Sequence, residues 1–201
     1  MGAAQGEPGG GQTGTAMRAD ARRNRAQILS AADAVFADQG VGVPIDEVAR
    51  RAGVGVGTLY RHFPTKEKLF EAVIVMHLDE LVQKAQALAD TDDPGRALFD
   101  FLGLMVTEAA SKRDLVDALS GAGIDIKDVA AQSKTELEAA MGRLLSGAQQ
   151  AGAVRADVSL ADLIGLVMGT CMAAETEAVD CSRARMLDVV CAGLRPDAVR
   201  A

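Results

Sequence analysis

Residues 45–63 contain the feature that most constrains how this chain folds, because two short helical patterns are joined there by a glycine-rich turn. Apolar residues recur at helical spacing in 45–52, which predicts a first helix with one apolar side. Gly53 can adopt the left-handed conformation that ends a helix, and Gly55 can begin the next helix without a side-chain cap. Pro64 disfavours helix at the residue before it, so the second helix has only about two turns.

Two short helices joined so closely cross steeply, which is the arrangement of a helix-turn-helix. In that motif the second helix lies in the major groove of DNA and presents its outer face there. The side chains expected on that face, and hence the expected DNA contacts, are Val56, Gly57, Thr58, Tyr60, Arg61 and His62. The alternative is that Tyr60 is half-buried packing and Arg61 is merely solvated. Leu59, Phe63 and Leu69 are expected to pack inside a three-helix core.

Residues from Ala19 to about Glu71 resemble the N-terminal domain of TetR-type (TetR/AcrR) transcriptional regulators. The resemblance is carried by residues 28–36, 38–40, 45–54, Gly57-Thr-Leu-Tyr-Arg-His-Phe63 and Pro64-Thr-Lys-Glu-Lys-Leu69. It implies an all-α fold, with an N-terminal three-helix DNA-binding domain and a C-terminal helical domain for effector binding and dimerisation. In the family, the positions of Tyr60, His62 and Lys66 commonly contact phosphate, and those of Thr58 and Arg61 contact phosphate or bases.

One position departs from the family pattern. The family often has Ser or Thr where this chain has Gly55. The recognition helix is therefore expected to lack a side-chain N-cap, which typically contributes about 1 kcal/mol.

Charge is distributed unevenly along the chain, whose formal net charge is −7. Residues 17–70 contain nine Lys or Arg against six Asp or Glu, so the acidic excess lies in the remainder. Arg18, Arg22, Arg23 and Arg25 cluster at the start of the first predicted helix, where they could meet the phosphate backbone. Of these four arginines, Arg25 is expected to contact DNA. The alternative is that this cluster is an ordinary solvated helix face.

The sequence predicts a disordered glycine-rich tail over 1–18, a DNA-binding domain over 19–65 and a helical domain over 66–201. No apolar run reaches the roughly 20 residues that a bilayer span needs, so no membrane association is expected. Cys171, Cys181 and Cys191 make an odd number, which favours a reducing cytoplasm over a disulfide framework. These cysteines are expected to be small buried side chains, and the alternative is that they sense redox state.

Helical periodicity and capping residues place nine helices along the chain. The first is expected over 19–39, with Ile28, Leu29, Ala32, Val35 and Phe36 as its buried stripe. After the helix-turn-helix, a long helix follows Thr65, another begins at Pro94 after Asp93, and a short one reaches Leu119. The last three are expected from Lys127 to Ala151, from Leu160 to Ala178 behind a Ser159 and Asp162 cap, and from Ser182 to Leu194.

The family resemblance implies that the last two helices form a four-helix interface between two chains, and the low charge of the Leu160 helix agrees. We therefore expect a homodimer. An apolar effector pocket is expected between the fifth, seventh and eighth helices, lined by Phe99, Leu102, Met105, Met141, Met168 and Met172. The alternative is that these six residues are ordinary core.

The sequence gives little support for a nucleotide-binding, metal or catalytic site. Gly53, Gly55 and Gly57 do not follow a strand, so a nucleotide-binding loop is not expected. His77 and Glu80 share a helix face but have no thiolate partner nearby in sequence, so a metal site is not expected. No nucleophile, base and orienting acid come together, and the chain is expected to be neither an enzyme nor a cofactor protein.

The sequence therefore predicts a ligand-responsive transcriptional regulator, more specifically a repressor that binds a palindromic operator in double-stranded DNA as a homodimer. The alternative is an all-helical small-molecule-binding or interaction protein without sequence-specific DNA binding.

Overall fold

The computed structural model describes residues 11–124, 129–173 and 182–196 of the 201-residue chain. Within these ranges the chain forms nine α-helices and no strand. Their bounds are α1 Gly11–Gln39, α2 Ile45–Ala52, α3 Val56–His62, α4 Lys66–Ala89, α5 Pro94–Ser111, α6 Arg113–Gly121, α7 Ala131–Gln150, α8 Leu160–Ala173 and α9 Arg183–Leu194. The expected all-α class is confirmed. None of the described helices is both long and apolar enough to cross a bilayer.

The chain divides into two compact units between Val73 and Ile74, inside α4. The first unit has a core made by α1, α2, α3 and the start of α4. The predicted stripe of α1 is buried in it, as are Leu59, Phe63 and Leu69. The Phe36 ring meets the Phe70 ring nearly edge-on, with the centroids 5.0 Å apart. This core supports the helix-turn-helix.

Two boundaries differ from those that the sequence predicts. Helix α1 begins at Gly11, so residues 11–18 are helical, whereas the expected disordered tail extended to residue 18. Extending an existing helix needs no new nucleation, and Gln, Ala, Met and Arg in this stretch are good helix formers. The division between the units falls after Val73, whereas the sequence predicts it after residue 65, so the first turns of α4 belong to the first unit.

The second unit is built around α5 and α7, with the rest of α4, α8 and α9 packed on them. Leu98, Leu102 and Val106 of α5 are buried. Phe101, which the sequence analysis did not select, is also fully buried. Phe99 lies two residues earlier, on the opposite side of α5, and is half-buried beneath the Arg195 guanidinium, 5.1 Å from the ring centroid.

Side-chain caps mark the starts of α5 and α8 in this unit. Asp93 accepts a hydrogen bond from the Arg96 N–H at 3.0 Å, with Pro94 as the first residue of α5. The predicted Ser159 and Asp162 pair is reciprocal: the Asp162 N–H donates to Ser159 Oγ at 3.1 Å, and the Ser159 N–H donates to Asp162 Oδ2 at 3.0 Å. The expected start at Lys127 and end at Ala178 lie outside the described residues.

Candidate nucleic-acid interface

The turn between α2 and α3 depends on two glycines with different roles. Gly53 has φ of 68° and ψ of 26°, in the left-handed region that glycine adopts without strain. The turn closes with backbone bonds from Gly53 N–H to Arg50 O at 3.2 Å and from Val54 N–H to Ala49 O at 3.1 Å. Gly55 is the N-cap of α3, without a side-chain cap bond, and its carbonyl accepts from the Thr58 N–H at 2.8 Å. Both predicted roles are confirmed.

Helix α3 has one side in the core and one side at the surface. Leu59 is buried on the inner side, and Phe63, just beyond the helix, is buried with it. On the outer side Val56 is 38% exposed and Tyr60 is 45% exposed. Arg61 and Gly57 are also exposed, whereas Thr58 and His62 are half-buried. The structure therefore places the expected contact residues of α3 on or beside one accessible face.

Two arginines of α2 are already paired with carboxylates of the same unit. Arg50 Nε donates to Glu47 Oε2 at 2.8 Å, and Arg51 Nη1 donates to Asp38 Oδ2 at 3.0 Å. The hydrogen bond with Arg50 lowers the pKa of Glu47 below its ordinary value and raises the pKa of Arg50 above its own. Arg61 forms no ion pair with any residue the structure describes, so its charge is not offset by a neighbouring carboxylate.

Arg25 and Lys66 have packing roles that the sequence analysis did not identify. The Arg25 guanidinium lies over the Phe63 ring, 5.3 Å from its centroid, which links α1 to the end of α3. Lys66 Nζ donates to the carbonyl of Val43 at 2.7 Å and lies 5.6 Å from the Phe70 ring centroid. An ammonium group has three donors, so this bond leaves two for other acceptors. Contacts from these residues to DNA stay predictions.

The residues expected to line an effector pocket differ in how deeply they are buried. Leu102 and Met141 are buried in the core of the second unit, and Phe99 and Met105 pack against that core. Met168 is 53% exposed on α8. The side chain of Met172 lies outside the described residues.

A cavity of about 350 Å³ opens between α4 and α7, away from all of these residues. Its wall is mainly polar and is formed by Val75, Asp79, Val82, Gln83, Gln86, Gln132, Ser133 and Glu136. The Ser133 hydroxyl is buried and donates to Asp79 Oδ1 at 2.8 Å.

No group of three or more His, Cys, Asp or Glu side chains within the described ranges is arranged to hold a metal ion. In the second unit, His77 Nδ1 lies 3.5 Å from Glu80 Oε2 and 3.8 Å from Glu108 Oε2.

Comparison with known proteins agrees with this geometry in both units. Residues 28–73 match the family model described as bacterial regulatory proteins of the tetR family. Residues 93–196 match the model of the C-terminal domain of SbtR-like transcriptional regulators.

Individual relatives show the same likeness. FasR of Mycolicibacterium smegmatis, a helix-turn-helix transcriptional activator, is 41% identical over 103 residues, which are 47% of this chain and 46% of FasR. A regulator of Staphylococcus aureus strain USA300 is 37% identical over 75 residues, 37% of this chain and 40% of that protein. The matched region thus spans less than half the length of these two curated relatives.

Two solved structures are similar over much more of the chain. The TetR regulatory protein of Mycobacterium vanbaalenii has a TM-score of 0.73 and 44% identity, covering 89% of this chain and 99% of that one. A TetR regulator of Streptomyces coelicolor has a TM-score of 0.68 and 31% identity, covering 86% and 98%.

The helix-turn-helix, its accessible second helix and these relatives define a transcriptional regulator with a DNA-binding N-terminal unit. More particularly, the chain belongs to the TetR family.

Proposed function

We propose that this protein is a ligand-responsive transcriptional repressor that binds a palindromic or nearly palindromic operator as a homodimer. The observation that carries the proposal is the outer face of α3, where Tyr60 and Arg61 are exposed on the second helix of a helix-turn-helix. Tyr60 and His62 contact phosphates and set the register of α3 in the major groove, while Thr58 and Arg61 contact phosphates or base edges. Arg25 and Lys66 add phosphate contacts beside their packing roles.

Dimerisation is proposed through α8 and α9. On α8, Leu163, Val167 and Thr170 are buried against the second unit, while Leu166 and Met168 are exposed on other sides of the helix. Val189 is exposed on α9. A second copy covering these apolar side chains would remove them from water. Two-fold symmetry would then present two α3 helices to successive major grooves, about 34 Å apart.

Repression requires only that the dimer occupy DNA that RNA polymerase needs, whereas activation requires a further productive contact. The relative FasR is named an activator, so deletion of the gene is the experiment that distinguishes repression from activation. Deleting the gene should raise transcription from the promoter that carries the operator. A fall in that transcription would show that the protein activates.

The effector is proposed to bind the second unit and to change operator affinity, because it binds two conformations of the protein with different affinity. The candidate contacts are Phe99, Leu102, Met105, Met141, Met168 and Met172. Because Leu102 and Met141 are packed in the core, an effector reaches them only if helices of the second unit move apart. The proposed site of action is the cytoplasm, and no catalytic role is proposed.

Operator binding is tested by selecting high-affinity duplexes from random DNA and measuring their affinity by fluorescence anisotropy at several salt concentrations. Arg61→Ala should weaken binding, and the dependence of log affinity on log salt should become shallower by about one for each phosphate that Arg61 neutralises. Arg143→Ala is the matched control, because it removes the same charge from an exposed position in the second unit. It should leave affinity and salt slope unchanged.

Tyr60→Ala should also weaken operator binding while leaving helix content and dimerisation intact. Loss of folding in this variant would instead make Tyr60 a core residue. Equal affinity of the wild-type protein for selected and scrambled DNA would refute specific regulation. It would favour an all-helical protein that binds ligands or partners without reading DNA sequence.

Dimerisation is tested by sedimentation velocity at micromolar concentration, where the dimer should show about twice the chain mass of 20.8 kDa. A monomer would refute the proposed dimer.

A further inference from the structure

An apolar patch lies on the outer face of α3, formed by Val56 and Tyr60. These side chains are four residues apart, so they lie on the same side of the helix. Within the described part of the first unit, the other large apolar side chain with such exposure is Met17 of α1, at 72%. The inner side of α3 already supplies Leu59 to the core. Folding of the first unit therefore gives the patch nothing to pack against.

Gly57 leaves bare backbone beside this patch. Its φ is not left-handed, and a Cβ added to it would meet no atom within 4 Å. Neither the backbone conformation nor the packing of the protein therefore requires glycine at this position. A glycine inside a helix is less favourable than alanine, yet it lets another molecule approach the backbone more closely than any side chain would allow.

The surroundings of the patch favour a polyanion as its partner. Helix α3 carries Arg61 and His62 in its last turn and no acidic residue in its first turn. Arg61 is exposed and has no ion-pair partner among the described residues. An apolar patch flanked by an unpaired cation suits a DNA groove, where phosphates surround base edges that include some apolar surface.

The chemistry of the patch narrows which base edges it can read. Val56 and Gly57 have no side-chain donor or acceptor, so they cannot make the paired hydrogen bonds by which Arg selects guanine or Asn selects adenine. The C5-methyl of thymine is the apolar group that the standard bases present in the major groove. Burial of one methyl group against Val56 corresponds to about a fourfold change in affinity.

We propose that Val56 is a specificity-determining residue that recognises a thymine methyl group in each operator half-site, and that Gly57 leaves room for that base edge. This inference rests on the proposed function, because it assumes sequence-specific operator binding. The inference adds a preference for thymine to the proposed function, and it assigns that preference to the Val56 side chain, which makes no hydrogen bond.

The test replaces each operator thymine in turn by deoxyuridine, which removes the methyl group and leaves every hydrogen-bonding group in place. Affinities of the full-length protein for these duplexes are measured by fluorescence anisotropy at one salt concentration. At one thymine in each half-site, deoxyuridine should weaken wild-type binding about fourfold. Val56→Ala should bind the unmodified operator more weakly and lose its sensitivity at that thymine.

Met17→Ala is the control for removing an exposed apolar side chain from the same unit, and it should keep the wild-type sensitivity. If the wild type selects its operator but tolerates deoxyuridine at every position, the inference is overturned and the proposed function stands. If Val56→Ala stays as sensitive as the wild type, another residue reads the methyl group and the inference is overturned. If the wild type shows no preference for any sequence, both the inference and the proposed function fail.

Discussion

Substituting alanine at Gly53 and at Gly57 should change stability in opposite directions, although the chemical change is the same. An added Cβ meets no atom within 4 Å at either position, so steric clash contributes to neither effect. The two positions differ in backbone conformation. Gly53 is left-handed, with φ of 68°, whereas Gly57 is in helix α3 and its φ is not positive.

The expected magnitudes follow from that difference. A left-handed conformation costs an L-residue about 1–2 kcal/mol, and the reduced entropy of the unfolded chain offsets about 0.4–1 kcal/mol of it. Gly53→Ala should therefore lower the free energy of unfolding by about 1 kcal/mol. Gly57→Ala should raise it by about 0.5–1 kcal/mol, because alanine is the better helix former. For a chain of this length each kcal/mol moves Tm by about 2–4 °C.

The assay is thermal unfolding of the free protein, followed by circular dichroism, together with hydrogen exchange of peptides that cover α2 and α3. Exchange isolates the local effect, since the Val54 amide closes the turn through its bond to Ala49. Gly53→Asn is the control, because asparagine tolerates the left-handed region better than alanine does. It should recover part of the stability that Gly53→Ala removes. Destabilisation of similar size by both alanine substitutions would refute this conformational reasoning.

Two further predictions concern helix caps in the second unit. Asp93→Ala removes the acceptor for the Arg96 N–H and should lower the free energy of unfolding by about 1 kcal/mol, whereas Asp93→Ser should retain most of the wild-type stability. Urea unfolding of the three proteins measures the difference, and equal midpoints would count against the cap. Hydrogen bonds from the hydroxyl and backbone of Ser159 lower the pKa of Asp162. The ionised carboxylate therefore stabilises the fold above its ordinary pKa of 3.8, and this contribution disappears as the pH falls through the lower pKa of the folded state. Asp162→Asn should show a smaller fall in Tm between about pH 6 and about pH 3 than the wild type, and an unchanged profile would contradict the linkage.

Local chemistry made much of the architecture predictable. The bounds of α2 and α3 follow from Gly53, Gly55 and Pro64, each of which acts on its own backbone or on a close neighbour in sequence. The reciprocal cap of α8 follows for the same reason. The start of α1 was less predictable, because no strong cap marks it and a helix can extend through any run of residues with adequate propensity.

The exposure of the outer face of α3 was predictable from the sequence, but the ion pairs and hydrogen bonds of the charged side chains near it were not. The outer face of α3 follows from helical spacing, and the structure leaves Val56, Tyr60 and Arg61 exposed there. That Arg51 is paired with Asp38, 13 residues away, follows from how α1 and α2 pack. The bond from Lys66 to the Val43 carbonyl, across 23 residues, has no signal in the sequence at all.

The sequence by itself determined that this chain is helical, where most of its helices begin and end, and that it carries a helix-turn-helix of TetR type. These properties depend on backbone preferences and on side-chain periodicity over a few residues. Tertiary structure decided which apolar residues of α5, α7 and α8 meet the core. It buried Phe101 and left Phe99 half-exposed, and it buried Met141 but left Met168 at the surface. The physical reason is that periodicity assigns residues to sides of a helix, while burial depends on which other helices pack against each side.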